Sequence, residues 1–160
     1  MFGLFKKDKA VTLTSPLTGK VLDLSKVPDE VFSNKMVGDG VAIEPTDGVL
    51  VSPVKGTIKQ IFPTKHAVGI ETDEGVEILM HIGINTVELS GEGFEKLAEV
   101  GSKVKVGDKL IKFDLDYIEE NATSIITPIL ITNMDDIKGI DRLSDGEVKL
   151  GENELLKVKL

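Results

Sequence analysis

Thr64-Lys65-His66-Ala67-Val68-Gly69-Ile70-Glu71-Thr72-Asp73-Glu74-Gly75-Val76-Glu77-Ile78-Leu79-Met80-His81 decides the fold, and it holds both histidines of the 160-residue chain. Two apolar, β-branched runs flank Asp73-Glu74, a turn dipeptide followed by Gly75, which is the pattern of a tight antiparallel hairpin. With a two-residue loop, Thr72 faces Gly75, and pairing outward from there sets His66 directly opposite His81. Directly opposed residues share a face of the sheet, with Cβ atoms roughly 4.5–5.5 Å apart. The expected register therefore brings two imidazoles onto one small group, and a slip of one residue would send one of them to the other face. In this register Val76, Ile78, Met80, Ala67 and Gly69 make an apolar face suited to a core. Thr64, His66, Val68, Ile70, Glu77, Leu79 and His81 make a mixed face suited to binding, and Gly83, opposite Thr64, leaves room above it.

A chain of this length is expected to form one domain, able to bury about 70% of the surface exposed by the unfolded chain. It has no cysteine, which excludes disulfides, thiolate metal sites and a cysteine nucleophile and leaves the redox compartment open. No stretch approaches the roughly 20 apolar residues of a membrane span, and the N-terminus lacks the core and cleavage pattern of a signal peptide. A cytoplasmic protein is the expectation. The net charge of −8 argues against nucleic acid and favours basic partners.

The opening Met1-Phe2-Gly3-Leu4-Phe5-Lys6-Lys7-Asp8-Lys9 is read as part of a flexible segment over residues 1–12, ahead of a single domain over 13–160; a contact of its apolar residues with a membrane surface is the other reading. Short apolar runs separated by turn residues follow. Ser15-Pro16-Leu17-Thr18-Gly19-Lys20-Val21 returns as Ser52-Pro53-Val54-Lys55-Gly56-Thr57-Ile58, and Met36-Val37-Gly38-Asp39-Gly40-Val41-Ala42-Ile43 is echoed by Lys105-Val106-Gly107-Asp108-Lys109-Leu110-Ile111-Lys112. These repeats predict an all-β fold: an antiparallel sandwich or barrel with internal duplication and a few short helical turns. The turns are placed at Asp29–Asn34 after Pro28, at Tyr117–Ala122, and at Phe94, Leu97 and Ala98, whose i, i+3, i+4 spacing ends at Gly101. The tail, Glu147–Leu150 and Leu155–Leu160, alternates as two closing strands.

Walker, Gly-x-Ser-x-Gly and His-x-x-x-His patterns are absent, so the histidine pair is the main candidate for chemistry. It fits two chemistries. His66 and His81 are two ligands of an incomplete zinc set that would need a carboxylate. Alternatively, one neutral imidazole is a nucleophile that holds a phosphoryl group, while the other donates to its oxygens.

Ile78-Leu79-Met80-His81-Ile82-Gly83-Ile84-Asn85-Thr86-Val87-Glu88-Leu89, followed by Gly91-Glu92-Gly93-Phe94, resembles the active-site signature of the glucose-type enzyme IIA of the bacterial phosphoenolpyruvate-dependent sugar phosphotransferase system. Phe62-Pro63-Thr64-Lys65-His66-Ala67 resembles the segment carrying that family's second histidine, and Val37-Gly38-Asp39-Gly40 and Asn133-Met134-Asp135 resemble further segments, so the likeness runs from about Leu13 to the C-terminus. The resemblance implies a β-sandwich phosphotransferase component. On this reading His81 takes a phosphoryl group from phospho-HPr and passes it to a cysteine of enzyme IIB of the sugar permease (IICB). His66 stabilises the group in flight and is oriented by Thr64. The Gly83 carbonyl accepts from His81 Nδ1, leaving Nε2 to attack. The resemblance also implies an apolar partner-binding ring of Val31, Phe32, Met36, Val37, Phe62, Leu79 and Val87, with Asp29 on an acidic rim. No cofactor is required, and membrane contact is at most peripheral, through the permease. Two positions depart from the pattern: Glu30 stands where relatives can carry an apolar residue, and Asn85, on the same surface, where many carry Asp. Two other classes stay open: a zinc hydrolase using the histidine pair, and a biotinyl- or lipoyl-like carrier, for which Lys65, followed by His rather than set at a turn tip, is the one candidate lysine.

Overall fold

The computed structural model describes residues 9–160. The strands are β1 (Ala10–Thr14), β2 (Gly19–Leu22), β3 (Asp39–Pro45), β4 (Val49–Val51), β5 (Gly56–Ile61), β6 (Ala67–Glu71), β7 (Glu77–His81), β8 (Phe94–Lys96), β9 (Lys103–Val104), β10 (Lys109–Phe113), β11 (Thr127–Ile131), β12 (Gly139–Arg142), β13 (Gly146–Val148) and β14 (Glu154–Lys159). Two short helices interrupt them, α1 (Glu30–Ser33) between β2 and β3 and α2 (Leu115–Asn121) before β11. Every strand ladder is antiparallel. An eight-stranded sheet runs β13-β2-β3-β11-β7-β6-β5-β9, and two three-stranded sheets run β1-β14-β12 and β4-β10-β8.

Period-two burial assigns the faces. On β3 and β11, Val41, Ile43, Ile129 and Ile131 point into the main core, while Ala42 and Leu130 point the other way. On that opposite side they join Leu24, Val27, Phe32 and Ile84 in a second, smaller core. Helix α1 belongs to this second core: Asp29 Oδ1 caps it by accepting from the Val31 amide at 2.8 Å, and Phe32 faces inward. The middle of the large sheet is thus covered on both sides, and the second core lies beside the end of β7.

The first sequence echo has a structural counterpart. Ser15 Oγ donates to the Leu17 carbonyl and Ser52 Oγ to the Val54 carbonyl, each at 2.7 Å, and both hydroxyls are fully buried. The two copies also grip each other reciprocally, with Thr14 N donating to Pro53 O and Val51 N to Pro16 O, both at 2.9 Å. In the second echo, Asp39 opens β3 and bonds the next amide, whereas Asp108 reaches back to the Lys105 amide across a turn with Gly107 at φ 92°.

Three expectations need correction. The hairpin loop has three residues, not two: Gly75 N donates to Thr72 O, Thr72 N to Val76 O, and Gly75 takes φ 93°. Such a turn with a left-handed glycine belongs to the three-residue hairpin class. Ala67 rather than His66 therefore lies opposite His81, and Val68 pairs with Met80. The core face of the hairpin is Val68, Ile70, Ile78 and Met80, and the outer face is Ala67, Gly69, Glu71, Glu77, Leu79 and His81. Asn133 fastens this register, since its side chain accepts from the Glu77 amide at 3.0 Å and donates to the Gly75 carbonyl at 2.7 Å.

The helical turn expected at Phe94–Ala98 is strand β8, with Phe94 paired to Phe113 and Lys96 to Ile111. Finally, strand structure begins inside the segment read as flexible, because Ala10, Val11 and Thr12 pair with Lys159, Val158 and Lys157 of β14; residues 1–8 lie outside the described residues.

Candidate active site

His81 is the last residue of β7, and His66 lies in the β5–β6 connection, just before β6. That connection is tight. Lys65 N donates to Phe62 O at 2.7 Å, Phe62 N to Ala67 O at 3.0 Å, and Lys65 adopts φ 63°. His66 still exchanges a ladder bond, its carbonyl accepting from Ile82 N, but its backbone has left strand geometry. The alternation rule that would put its side chain on the core face no longer applies there. The two imidazoles meet with ring centroids 4.8 Å apart, nearly perpendicular at 77°. The convergence expected from the hairpin is present, though a turn rather than the register produces it. Lys65 occupies that turn, contrary to the sequence reading of its setting.

Each ring is held by one hydrogen bond and one aromatic neighbour. His81 Nδ1 lies 2.8 Å from the Gly83 carbonyl, and the Phe32 ring stands 4.9 Å away, tilted by 53°. His66 Nδ1 lies 2.6 Å from Thr64 Oγ1, and the Phe62 ring meets it edge-on at 5.3 Å. Both Nδ1 atoms are thus engaged through these contacts, and the two Nε2 atoms are the ring positions left for a substrate.

Gly83 takes φ 70°, and a Cβ there would sit 2.7 Å from Thr86 Cγ2 and 2.8 Å from the Ser124 carbonyl oxygen. Only glycine fits this position, for its backbone and for its neighbours. Its role is to turn a carbonyl towards His81, not to leave space opposite Thr64.

Burial lowers both histidine pKa values. His66, only 2% exposed, is pushed down to about 4, chiefly by desolvation and further by the charge that His81 would carry. His81 is lowered by desolvation, opposed by the Gly83 carbonyl, its own backbone and the Asp29 carboxylate. Both rings are neutral at neutral pH, the state a nitrogen nucleophile needs. An unfolded histidine binds its proton as the pH falls through 6.5, whereas folded His66 does so only near 4, so this group withdraws stability from the fold across that window and the loss persists below it. Between pH 7 and about 4.5 the effect should be on the order of 2–3 kcal/mol. Denaturant titrations at the two pH values should show His66→Gln losing less stability than the unaltered protein by about that amount. Equal losses would mean that His66 titrates normally.

The surrounding residues divide by exposure. Met36 (71%), Val87 (53%) and Val31 (43%) stand out from the surface, while Phe62, Leu79 and Val37 are half-buried. Phe32, expected on the contact ring, is only 8% exposed and belongs to the second core, and its ring forms a wall beside His81. Asp29 is committed to the cap of α1, which keeps its charge near His81. Asn85 is exposed, left-handed at φ 61°, and donates to Thr123 Oγ1 at 2.6 Å.

Among the described residues no group of three His, Cys, Asp or Glu is placed to hold a metal. Two imidazoles fall short of the three protein ligands of a catalytic zinc centre. Among those same residues, no helix is long and apolar enough to cross a membrane.

Two residues that touch the site carry no signal in the sequence, Thr86 and Thr127. Both are fully buried, and their hydroxyls bond the Ile82–Gly83 peptide. Thr86 sits inside the signature stretch, but nothing in its spacing marks it, and Thr127 is reached only through the pairing of β11 beside β7.

Comparison with known proteins bears on this geometry. The family model described as phosphoenolpyruvate-dependent sugar phosphotransferase system, EIIA 1, matches residues 11–137. A Bacillus cereus protein named PTS system glucose-specific EIIA component is 51% identical over 160 residues, spanning 100% of this chain and 97% of the relative. A protein of the same name from Staphylococcus epidermidis is 47% identical over 159 residues, 99% of this chain and 96% of the relative. The solved structure of glucose permease IIA from Mycoplasma capricolum superposes with a TM-score of 0.88 at 42% identity, covering 93% of this chain and 96% of that one.

Proposed function

The chain belongs to the EIIA 1 family of the phosphoenolpyruvate-dependent sugar phosphotransferase system, and from that premise we propose that His81 is the residue on which it carries the phosphoryl group. Members of this family are phosphocarriers in sugar uptake: they accept a phosphoryl group on histidine and pass it on. They work with the phosphocarrier and the sugar-specific IIB/IIC components of the system. On our reading the donor is phospho-HPr and the acceptor a cysteine of enzyme IIB. The sugar is glucose, the specificity in the names of the relatives that span the chain. The protein works in the cytoplasm and meets the membrane only through the permease.

The observation that carries the assignment is the 2.8 Å contact from His81 Nδ1 to the Gly83 carbonyl. A carbonyl can only accept, so Nδ1 bears the proton and the Nε2 lone pair is free. Nε2 attacks phosphorus in line with the bond to the donor; the N–P bond forms as that bond breaks and its electron pair leaves with the donor. In the onward step the cysteine thiolate attacks phosphorus and the N–P electron pair returns to Nε2. The Nδ1 proton stays in place through both steps. We assign His66 the opposite tautomer: the Thr64 hydroxyl, 2.6 Å from Nδ1, can donate as well as accept, and when it donates Nε2–H is left to donate to an equatorial oxygen, where transition-state charge gathers. Neither step uses a metal or a nucleotide.

Met36, Val87 and Val31 form the exposed apolar contact for partners, completed by Phe62, Leu79 and Val37, with Asp29 and Asn85 at its edge. The net charge of −8 steers a basic donor towards it. Raising salt from about 0.05 to about 0.5 M should slow association roughly tenfold and leave dissociation nearly unchanged. Transfer rates at subsaturating protein that ignore ionic strength would remove the steering part of the proposal.

The assignment itself is tested by incubation with phosphoenolpyruvate and the general components of the system, HPr included, followed by intact mass measurement and peptide mapping. The expected product is a phosphoryl adduct, acid-labile and base-stable, on the peptide containing His81. An adduct on the peptide containing His66, or a stable modification of Lys65, overturns it.

A further inference from the structure

The described residues bury six polar side chains: Ser15, Ser52, His66, Thr72, Thr86 and Thr127. Ser15 and Ser52 serve the repeated turn, and Thr72 closes the β6–β7 hairpin by accepting from the Val76 amide. The remaining two, apart from His66, converge on one peptide. Thr127 Oγ1 accepts from Gly83 N at 3.2 Å and donates to the Ile125 carbonyl at 3.0 Å, and Thr86 Oγ1 donates to the Ile82 carbonyl at 2.6 Å. The peptide plane between Ile82 and Gly83 is therefore held at its N–H by one buried hydroxyl and at its C=O by another.

The next plane, between Gly83 and Ile84, is held by Ile84 N donating to Ser124 O at 2.9 Å, and its carbonyl is the one that faces His81 Nδ1. Gly83 is the hinge between the planes. A glycine sets no direction of its own, so the aim of its carbonyl is decided by what holds each side. Backbone pairing fixes only the second plane, through the Ile84–Ser124 bridge. The ladder from β7 to β11 stops at Met80–Ile129, the next β11 residue, Pro128, has no N–H, and the Gly83 amide is held instead by the Thr127 hydroxyl.

We propose that Thr127 is a positioning residue whose hydroxyl fixes the Gly83 peptide and thereby holds His81 in its Nδ1–H tautomer. Its importance to transfer rests on the reading of His81 as the phosphoryl acceptor. Thr86 holds the other end of the same peptide, and its methyl group closes the space beside Gly83. Groups bonded directly to a metal-ligating imidazole fix its tautomer and change affinity or activity by about tenfold to a hundredfold when removed. Thr127 acts one bond further out, through the Gly83 peptide, and the lower end of that range is the expected effect.

Thr127→Val deletes the hydroxyl at nearly constant volume, and Thr127→Ser keeps the hydroxyl while deleting the methyl group. Thr127→Cys, with a weakly accepting thiol, serves if the valine variant does not fold. The primary measurement is the ¹⁵N chemical shifts of the His81 ring nitrogens in the unphosphorylated protein. The unaltered protein and Thr127→Ser should show essentially one tautomer. Thr127→Val or Thr127→Cys should show the Nε2–H form rising to tens of per cent, with acceptance from phospho-HPr slowed about tenfold. A folded Thr127→Val or Thr127→Cys that keeps a single Nδ1–H tautomer overturns the proposal, whether or not its rate changes, because a slower rate alone is what loosened packing would give. The shift measurement needs no phosphoryl group. Label found on another residue would therefore overturn the role of His81 and leave the positioning role of Thr127 standing.

Discussion

His81→Ala should yield a folded protein that accepts no phosphoryl group from phospho-HPr. The side chain is half-buried at the end of β7, and its ring contacts are to Phe32 and His66, so truncation removes two ring contacts and the bond to the Gly83 carbonyl without opening the main core. Its neighbour does not replace it: His66 Nδ1 is engaged with Thr64, and in the proposed tautomer its Nε2 carries a proton instead of a lone pair. Loss of a nucleophile costs on the order of 10⁶ in rate where it has been measured in a hydrolytic enzyme, which for a relay means no detectable labelled protein. Transfer of labelled phosphoryl from phosphoenolpyruvate through HPr is the measurement. If His81→Ala takes up label and the matching change at His66 does not, the nucleophile has been assigned to the wrong strand.

His66→Gln should fail differently. The nucleophile and its Gly83 contact remain, so label should still arrive from phospho-HPr. Donation onward to enzyme IIB should fall by about a hundredfold to a thousandfold, the effect of losing one preorganised donor to transition-state charge, or roughly 3–4 kcal/mol. The glutamine amide recovers part of this if it reaches the phosphoryl oxygens. Thr64→Val should move the rate in the same direction by less, because it frees His66 to turn without deleting it. The two half-reactions have to be timed separately, loading from phospho-HPr and discharge to enzyme IIB. Equal slowing of both would place His66 in general support of the site instead of in the departing step.

The sequence carried the strands of the hairpin and the closing strands of the tail, because each is written in local patterns of alternation and turn residues. It misled at Gly75. Asp73-Glu74 reads as a complete two-residue turn, and only the left-handed glycine after it shows that the loop takes a third residue and moves every pairing by one. The site survived this error because Lys65 breaks the strand just before His66. Phe94, Leu97 and Ala98 fit a helical spacing, but pairing of Phe94 with Phe113 on β10 outweighs so short a pattern. The burial of Phe32 in a second core and the place of Thr127 beside Gly83 could not be read at all. One depends on a second core assembled from β3, β11 and α1, the other on a proline that ends a ladder far along the chain, and neither leaves a local trace.

The first and last strands are partners: Ala10 pairs with Lys159, and Leu160 N donates to Lys9 O at 2.9 Å. Both ends of the described chain thus leave the molecule at one corner, from the same end of one antiparallel ladder. A pull between them would load the β1–β14 rungs one after another from the outside, as a zipper opens, and never all together in shear. Tension applied there opens the three-stranded sheet of β1, β14 and β12 from its edge, a sheet separate from the one that carries the histidines.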